Sequence, residues 1–345
     1  MPHPQTILVT GGAGFIGSHT VVELLQHGYR VIVLDNLSNS RIEVLDSMRE
    51  ISGQDFTFIQ CDLTDSVSIA NMLAPLTFDA VIHFAAFKAV GESVEQPLLY
   101  YRNNILGLLN LLETCRGKGI NNFVFSSSCS VYGDSARLPI AEDTPLQPAQ
   151  SPYANTKKIG EDILRDLSSS TDFSCIALRY FNPVGAHPSH LIGEYPIGTP
   201  LNLFPVVTQT GIGKRKEMHV FGTDYPTADG SCIRDYIHVV DIAKAHVKAL
   251  GRLMNGEQKK RFEIFNLGTG KGLSVLQIIE AFQQYTGVPL QYTCVERRPG
   301  DIAQVYADTT LANTELGWAA ERDLKEMILS AWAWEKSLQA KAVNA

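Results

Sequence analysis

Near the start of the chain runs Ile7-Leu8-Val9-Thr10-Gly11-Gly12-Ala13-Gly14-Phe15-Ile16-Gly17, an apolar strand that leads through a glycine-rich turn into a helical pattern. In such a loop Gly11 permits a tight turn, Gly14 lets the backbone approach a pyrophosphate, and Gly17 lets the helix lie close to the strand. The pyrophosphate would lie on the helix N-terminus, where free N–H groups and the helix dipole favour an anion. Because a strand precedes the glycines and a helix follows them, the motif predicts a dinucleotide-binding unit.

The first half of the chain alternates between apolar strand patterns and helical patterns. Strands are predicted at 31–34, 56–59, 80–84, 123–126 and 175–179, with helices at 15–27, 66–73, 98–116 and 153–167. This alternation predicts an α/β fold, a doubly wound parallel sheet (Rossmann-like) covered by helices on both faces.

The pattern loosens from about residue 182 into Pro/Gly-rich sequence, which makes poor core but good binding loops. We therefore predict a nucleotide domain over 1–182, with the chain returning to it at about 236–268. A smaller C-terminal α/β lobe for the substrate would comprise 183–235 and 269–345.

Composition excludes several classes of function. The formal net charge of -7 argues against a general electrostatic hold on nucleic acid or on an anionic membrane. The six cysteines form no CxxC pair and are interpreted as reduced thiols, and the nine histidines form no HExxH motif, so no metal site is predicted. The chain reaches a strand within six residues, without room for a signal peptide, and it has no apolar run of the roughly 18 residues that a membrane span needs. We expect a cytoplasmic location.

The choice of cofactor depends on Asp35, which closes the second strand 18 residues after Gly17. A carboxylate there can accept hydrogen bonds from the ribose hydroxyls and would repel a 2′-phosphate, so NAD is favoured over NADP. The alternative is a turn formed by the Asp35-Asn36 pair. Asp62, after the third strand, is placed to meet the adenine edge, and Lys88 follows the fourth strand at the edge where ligands bind, unless it is an unpaired surface lysine.

The catalytic hypothesis rests on Ser151-Pro152-Tyr153-Ala154-Asn155-Thr156-Lys157. Ser151 suits an N-cap and Pro152 the first helical position, so a helix should begin here, with Tyr153 and Lys157 on one face. A free tyrosine has a pKa of about 10, and Lys157 together with the helix N-terminus could lower the pKa toward neutrality. Lys158 lies around the helix and is the weaker candidate.

A Tyr-x-x-x-Lys pattern occurs often by chance, but its surroundings here strengthen it. The preceding strand ends in Ser126-Ser127-Ser128, at a sheet edge where a hydroxyl can reach substrate. We interpret Ser127 as part of a solvated turn.

Together these segments resemble the extended short-chain dehydrogenase/reductase family, and within it the enzymes that act as UDP-hexose 4-epimerases, over essentially the whole chain. Further matching segments are 83–93 (HFAAFKAVGES), 179–186 (RYFNPVGA), 234–239 (RDYIHV) and 297–301 (RRPGD). The resemblance implies reversible interconversion of UDP-glucose and UDP-galactose through a 4-keto intermediate, with transient hydride transfer to tightly bound NAD. It implies that Tyr153 is the base, that Ser128 holds the sugar 4′-oxygen, and that Lys157 lowers the Tyr153 pKa and binds the nicotinamide ribose.

The resemblance also implies two sets of binding residues. The cofactor set is Gly11, Gly14, Phe15, Ile16, Gly17, Asp35, Asn36, Asn39, Asp62, Leu63, Phe84, Ala85, Ala86, Lys88, Asn103, Ser126, Tyr153, Lys157 and Tyr180. The substrate set is Lys88, Ser128, Tyr153, Phe181, Asn182, Asn202, Leu203, Phe221, Arg234, Tyr236, Arg298, Asp301 and Val305.

Two members of the substrate set are basic. Guanidinium groups suit a diphosphate, so Arg234 and Arg298 fit this role, although structural salt bridges to Asp235 and Asp301 are the alternative.

Val305 falls where relatives carry either a bulky or a small residue beside the sugar 2-position. We hypothesise that valine leaves room for an N-acetyl group, so that UDP-N-acetylglucosamine and UDP-N-acetylgalactosamine are also substrates. A homodimer is implied as well, through helices near 98–116 and 153–167.

Two alternatives remain at this point. The first is another nucleotide-sugar enzyme of the family, a dehydratase or decarboxylase, although the residues after Ser128 are Cys129-Ser130-Val131 and supply no carboxylate for elimination. The second is a non-enzymatic NAD-sensing or scaffold protein on the same fold, which would usually lack the Tyr or the Lys.

Overall fold

The computed structural model describes residues 4–298 and 300–343, and the side chains of residues 4–298 and 300–341. Pro299, one of the residues in the matching segment 297–301, lies outside the described residues. In the described part of the chain, no helix is both long enough and apolar enough to cross a bilayer.

The main sheet has seven strands, all parallel, in the order β10-β6-β5-β4-β1-β2-β3. Its strands are β1 (Thr6–Thr10), β2 (Arg30–Asp35), β3 (Thr57–Gln60), β4 (Ala80–His83), β5 (Asn122–Ser128), β6 (Ser174–Tyr180) and β10 (Phe262–Leu267). These strands are mostly apolar because both faces of the sheet are covered. The predicted fold class is confirmed.

Two layers of helices cover the sheet. One apolar core joins it to α1 (Phe15–Gln26), α2 (Glu43–Ser52), α9 (Val239–Met254) and α11 (Thr310–Thr314). The other joins it to α3 (Ser66–Leu73), α6 (Gly107–Gly117) and α7 (Pro152–Ser170). The N-cap prediction for α7 is confirmed, because the Ser151 side chain accepts a hydrogen bond from Ala154 N and Pro152 is the first helical residue.

The helix predicted over 98–116 is not a single α-helix. It consists of α5 (Pro97–Tyr101), a π-helical turn (Arg102–Leu106) and α6, and it follows the short α4 (Val90–Glu95). Such turns are rare and are frequently found at functional sites. Apolar periodicity could not reveal it, since the pattern continues through the π-helical turn.

The remaining elements form a third packed region around β9 (Ile233–His238), which pairs with β7 (Asn182–Val184), β11 (Gly272–Ser274) and β13 (Gln304–Val305). A separate parallel pair joins β8 (Met218–Phe221) to β12 (Tyr292–Val295). A separate apolar core packs β7, β8, β9 and β11 against α8 (Leu203–Gly211), α10 (Val275–Thr286) and α12 (Leu324–Val343).

The order of the strands indicates at which edge of the sheet a ligand would bind. Strand β1 lies between β2, which follows it in the chain, and β4, so the order reverses at the carboxyl ends of β1 and β4. Open parallel sheets bind ligands in the crevice at such a switch point. The glycine loop, Asp35, the segment after His83 and Ser128 all lie at this edge.

Candidate active site

The three glycines of the first loop have different physical roles. Gly11 has a φ of +68°, and a Cβ on it would lie 2.6 Å from Ala85 N. A Cβ on Gly17 would lie 2.2 Å from Gly11 O, so only glycine lets α1 lie this close to the turn. At Gly14 a Cβ would meet, among the described residues, only Gly11 O, at 3.2 Å. The space beside Gly14 is therefore open to a ligand.

The start of α1 suits an anion. Gly14 is its N-cap and makes no side-chain capping bond. The first N–H groups of a helix have no acceptor inside it, and here they belong to Phe15, Ile16 and Gly17. These residues fit the pyrophosphate of a dinucleotide, as the sequence predicts.

Asp35 lies at the end of β2, buried beside the loop. Its Oδ2 accepts a hydrogen bond from Ala13 N at 3.1 Å, and its Oδ1 accepts from Leu37 N and Ser40 Oγ, both at 2.9 Å. The hydrogen bond from Leu37 N closes a turn at Asp35-Asn36, which is the alternative role that the sequence suggested for Asp35. A carboxylate accepts about four hydrogen bonds, so Asp35 keeps capacity for a ribose hydroxyl.

The predicted adenosine end is assembled from two loops. Asn36 Nδ2 donates to Asp62 Oδ2 at 3.0 Å, which joins the ends of β2 and β3. Leu63 is buried, and its carbonyl accepts from Asn110. Asn39 is exposed on the loop after β2.

The segment after β4 faces the glycine loop. Ala85 contacts Gly11, Ala86 follows it, and the Phe84 ring packs on His246 of α9, which also hydrogen-bonds the Tyr180 hydroxyl at 2.7 Å. Tyr180 is buried at the end of β6.

Lys88 is paired, contrary to the alternative of an isolated surface lysine. Its Nζ lies 3.0 Å from Glu194 Oε1, and Asn202 Nδ2 donates to the same oxygen at 2.6 Å. Glu194 therefore links a residue of the cofactor set to one of the substrate set. Sequence analysis missed it because it lies in an irregular Pro/Gly-rich loop.

The π-helical turn holds Asn103 and its neighbour Asn104. Asn103 Nδ2 donates to Asn104 Oδ1 at 2.9 Å. Asn104 Oδ1 accepts a hydrogen bond from Phe87 N, and Asn104 Nδ2 donates to Phe87 O. Asn104 Nδ2 also donates to Thr156 Oγ1 at 3.0 Å. Asn104, which the sequence analysis did not select, thus ties the loop after β4 to α7.

The predicted catalytic residues meet at the end of β5. Lys157 is buried, and its Nζ donates to Ser126 O at 2.6 Å. Ser128 Oγ accepts a hydrogen bond from Ser130 N at 3.2 Å, and the Ser128 side chain is the group that lowers the pKa of Tyr153. Lys158 instead reaches Gln147 O from a more exposed position.

The pKa values differ from the sequence expectation. Burial raises the pKa of Tyr153 to about 12, although the Ser128 hydrogen bond lowers it. Burial lowers the pKa of Lys157 to about 8, against an opposing effect of Glu161. Burial thus opposes formation of a tyrosinate, and positive charge beside the phenol would favour it.

Two arginines and one aspartate of the predicted substrate set form a cluster of ion pairs. Arg298 Nε and Nη2 donate to the two oxygens of Asp301 at 2.9 and 3.3 Å, and Arg234 Nη2 lies 3.8 Å from Asp301 Oδ1. The Arg298 guanidinium lies 4.7 Å from the centroid of the Phe221 ring. Both arginines thus pair with Asp301, while Asp235 takes another role.

Asp235 is fully buried and accepts four hydrogen bonds. They come from Thr269 N, Thr269 Oγ1, Gly270 N and Ala307 N, at 2.6 to 3.1 Å. The aspartate thereby holds the loop after β10 and the end of the β13 segment against β9. The sequence could not show this role, because all these donors are distant along the chain.

The rest of the substrate set lies on neighbouring elements. Asn182 Oδ1 is buried without a hydrogen-bond partner among the described residues, so it is available to a donor on a ligand. Phe181 and Val305 belong to one apolar cluster. Tyr236 packs on Phe204 beside Leu203, the first residue of α8.

A metal role finds no support among the described residues, which contain no group of three or more His, Cys, Asp or Glu side chains able to hold an ion.

Comparisons with known proteins show which family the chain is similar to. The family model described as GDP-mannose 4,6 dehydratase matches residues 8–330. The chain is 52% identical over 334 residues to the UDP-glucose 4-epimerase of Bacillus subtilis, covering 96% of this chain and 97% of that relative. A crystal structure of the UDP-glucose-4-epimerase from Stenotrophomonas maltophila with bound NAD and formylated UDP-arabinopyranose has a TM-score of 0.94 at 46% identity, covering 98% of this chain and 99% of that one. The Bifidobacterium longum enzyme, solved with NAD+ and UDP, has a TM-score of 0.92 at 45% identity, covering 96% and 98%.

Proposed function

Because this chain belongs to the UDP-glucose 4-epimerase family, we propose that it interconverts UDP-glucose and UDP-galactose by inverting C4 of the hexose. It is an NAD-dependent isomerase. The observation that carries the proposal is the meeting of Tyr153, Lys157 and Ser128 at the end of β5, on the same sheet edge as the glycine loop. A dehydratase would need an acid beside the catalytic hydroxyl, and the Cys129–Tyr132 turn that follows Ser128 carries no carboxylate.

The described residues fit NAD. The open space at Gly14, the α1 N-terminus and the remaining acceptor capacity of Asp35 match the pyrophosphate and the adenosine ribose. Asn36 and Asp62 would lie at the adenine edge. Bound NAD supplies a reversible hydride acceptor for the sugar C4.

The proton chemistry belongs to the protein. Tyr153 removes the proton from the 4′-hydroxyl, and Ser128 holds the 4′-oxygen in place for this transfer. Lys157 supplies a positive charge that favours the phenolate. Burial raises the pKa of Tyr153 to about 12, and we propose that Lys157, together with the positive charge that bound NAD would supply, favours the phenolate.

The UDP half of the substrate is proposed to bind at the arginine pair. A diphosphate between Arg234 and Arg298 would accept hydrogen bonds from the guanidinium N–H groups that now pair with Asp301. The ring of Phe221 offers a surface on which the uracil base can stack. Asn182 Oδ1 would accept from a substrate hydroxyl. We assign this binding to the lobe formed by 183–235 and 269–345, and NAD binding to 1–182 with the return at about 236–268, where β10 joins the main sheet.

The deciding experiment uses purified protein, UDP-galactose and no added NAD. Formation of UDP-glucose by the wild type, and not by Tyr153→Phe, is expected if the cofactor is retained and Tyr153 is the base. Lys157→Met and Lys158→Met form a matched pair, of which only the first should lose most of the activity. Absence of conversion even with added NAD would refute epimerisation of these sugars.

We also propose that UDP-N-acetylglucosamine and UDP-N-acetylgalactosamine are substrates. Val305 lies at the wall formed with Phe181, and a tyrosine there would fill space beside the sugar 2-position. Val305→Tyr should abolish turnover of the acetylated sugars and preserve turnover of UDP-glucose. If the wild type does not convert the acetylated sugars, this extension is wrong.

A homodimer and a cytoplasmic location are further proposals. The region from α4 to α6 exposes apolar side chains, among them Val94 at 60% and Leu98 at 81%. Leu98→Glu should yield a monomer in light scattering, whereas Leu311→Glu, at an exposed leucine on α11, should not. Cell fractionation tests the location.

A further inference from the structure

The helix that carries Tyr153 and Lys157 also carries Glu161, one turn beyond the lysine. Glu161 is fully buried and is bound on two sides by the main sheet. Arg179 of β6 donates through Nε to Oε1 at 2.9 Å and through Nη2 to Oε2 at 2.6 Å. Ser127 is buried in β5 and is not part of a solvated turn as the sequence predicted; its Oγ donates to Oε1 at 2.5 Å.

Ser127 and Arg179 are direct neighbours across the β5–β6 ladder. Glu161 therefore binds the ends of both strands at the point where Ser126 O and Ser128 meet Lys157 and Tyr153. The arginine also lies 4.6 Å from the centroid of the Tyr132 ring, whose hydroxyl donates to Asn266 Oδ1 of β10 at 2.7 Å.

On the basis of the proposed function, we infer that the buried Glu161–Arg179 ion pair is a positioning device for Lys157. It sets the register of α7 on β5 and β6, and its carboxylate maintains the ammonium form of the lysine, while the arginine limits that effect. Neither residue touches the reacting atoms.

Stability alone gives no reason for such a pair. A buried ion pair contributes little relative to apolar side chains of similar volume, because desolvation offsets the attraction. The position of the pair, one helical turn from a buried lysine that must remain charged, gives a functional reason.

The electrostatics agree with the geometry. Burial lowers the pKa of Lys157 to about 8, and Glu161 is the group that raises it against burial. Removing the carboxylate should therefore lower the lysine pKa, and removing the arginine should raise it.

Several other titratable side chains on or near the elements packed against α7 are neutral or already bonded to a partner. Burial lowers the pKa of His83 to about 3 and raises that of Cys129 to about 12, so both are neutral near pH 7. Burial also raises the pKa values of Tyr100 and Tyr180. Glu92 accepts a hydrogen bond from Tyr100, and Glu263 of β10 is paired with Arg252.

The test measures pH–rate profiles for UDP-galactose conversion and, independently of activity, the ¹³Cε-lysine resonance that disappears in Lys157→Met. In Glu161→Gln the alkaline limb and the resonance midpoint should fall by about one pH unit, and in Arg179→Met both should rise by a similar amount. A purely structural role predicts lower activity in both variants without these opposite displacements.

Ser127→Ala is the matched control, because it removes one hydrogen bond to Glu161 without changing charge. Its midpoint should stay at the wild-type value. Each single charge variant leaves a buried charge unpaired and so loses stability. The double variant Glu161→Gln/Arg179→Met avoids this, and its midpoint should lie between those of wild type and Glu161→Gln.

The inference would be overturned if the Lys157 titration midpoint in folded Glu161→Gln and Arg179→Met equals that of the wild type. If the single variants do not fold, an unchanged midpoint in the double variant would overturn it. An inactive wild type would instead refute the proposed function and leave the resonance measurement as the test.

Discussion

Replacing Gly14 and Gly17 by alanine should separate cofactor binding from folding. In Gly17→Ala the new methyl group would lie 2.2 Å from Gly11 O and 2.8 Å from Gly12 Cα, and both are backbone atoms that cannot rotate away. Overpacking in a close-packed region costs about 1–3 kcal/mol, and we expect the upper end, about 3 kcal/mol. With about 2.1 cal/mol/K of unfolding entropy per residue over 345 residues, this corresponds to a fall in Tm of roughly 4 °C.

Gly14→Ala should behave differently. Its methyl group would meet Gly11 O at 3.2 Å, which a shift of a few tenths of an ångström relieves, so the loss of stability should be below about 1 kcal/mol. The methyl group would nevertheless occupy the space where the pyrophosphate must approach the backbone. We expect a folded protein that has lost its NAD.

Both variants are compared with wild type in three measurements: Tm, the NAD released on acid denaturation, and UDP-galactose conversion with and without added NAD. The expected result is a near-normal Tm and little NAD for Gly14→Ala, against a lowered Tm for Gly17→Ala. Retention of a full complement of NAD by Gly14→Ala would refute the placement of the pyrophosphate, and an unchanged Tm for Gly17→Ala would refute the packing argument.

Three further predictions follow from other parts of the site. Asp35→Asn should weaken NAD binding and allow NADP to bind, because the charge that repels a 2′-phosphate is removed; titration of the cofactor-free protein with both dinucleotides checks this, and an unchanged preference would contradict it. Asp235→Asn should destabilise the protein by about 2–3 kcal/mol, since an amide NH₂ cannot accept from the donors that now bind the carboxylate; a Tm equal to wild type would show that these donors find other acceptors. The wild-type rate should fall as the pH rises through about 8, because Lys157 loses its charge there, and a profile that stays flat to pH 10 would exclude the lysine as the charged group.

Much of this fold follows from short-range patterns. Apolar periodicity and the glycine loop predict the parallel sheet, and Ser151-Pro152 predicts the start of α7, because capping and side-chain alternation act between residues close in the chain. The π-helical turn at Arg102–Leu106 could not be predicted in this way, since Asn104 is held by Phe87 and Thr156, which belong to other elements.

The sequence by itself determined the class of chemistry, through a dinucleotide loop, an acidic residue at the end of β2, and a tyrosine and lysine one helical turn apart. The tertiary structure alone decided the pairing of Lys88 with Glu194, the four bonds to Asp235, and the Glu161–Arg179 pair beneath the catalytic helix. The tertiary structure also decided the high pKa of Tyr153, which the sequence argument expected to be low. Local motifs depend on the spacing of neighbouring residues, whereas burial and ion pairing depend on which distant segments the sheet order brings together.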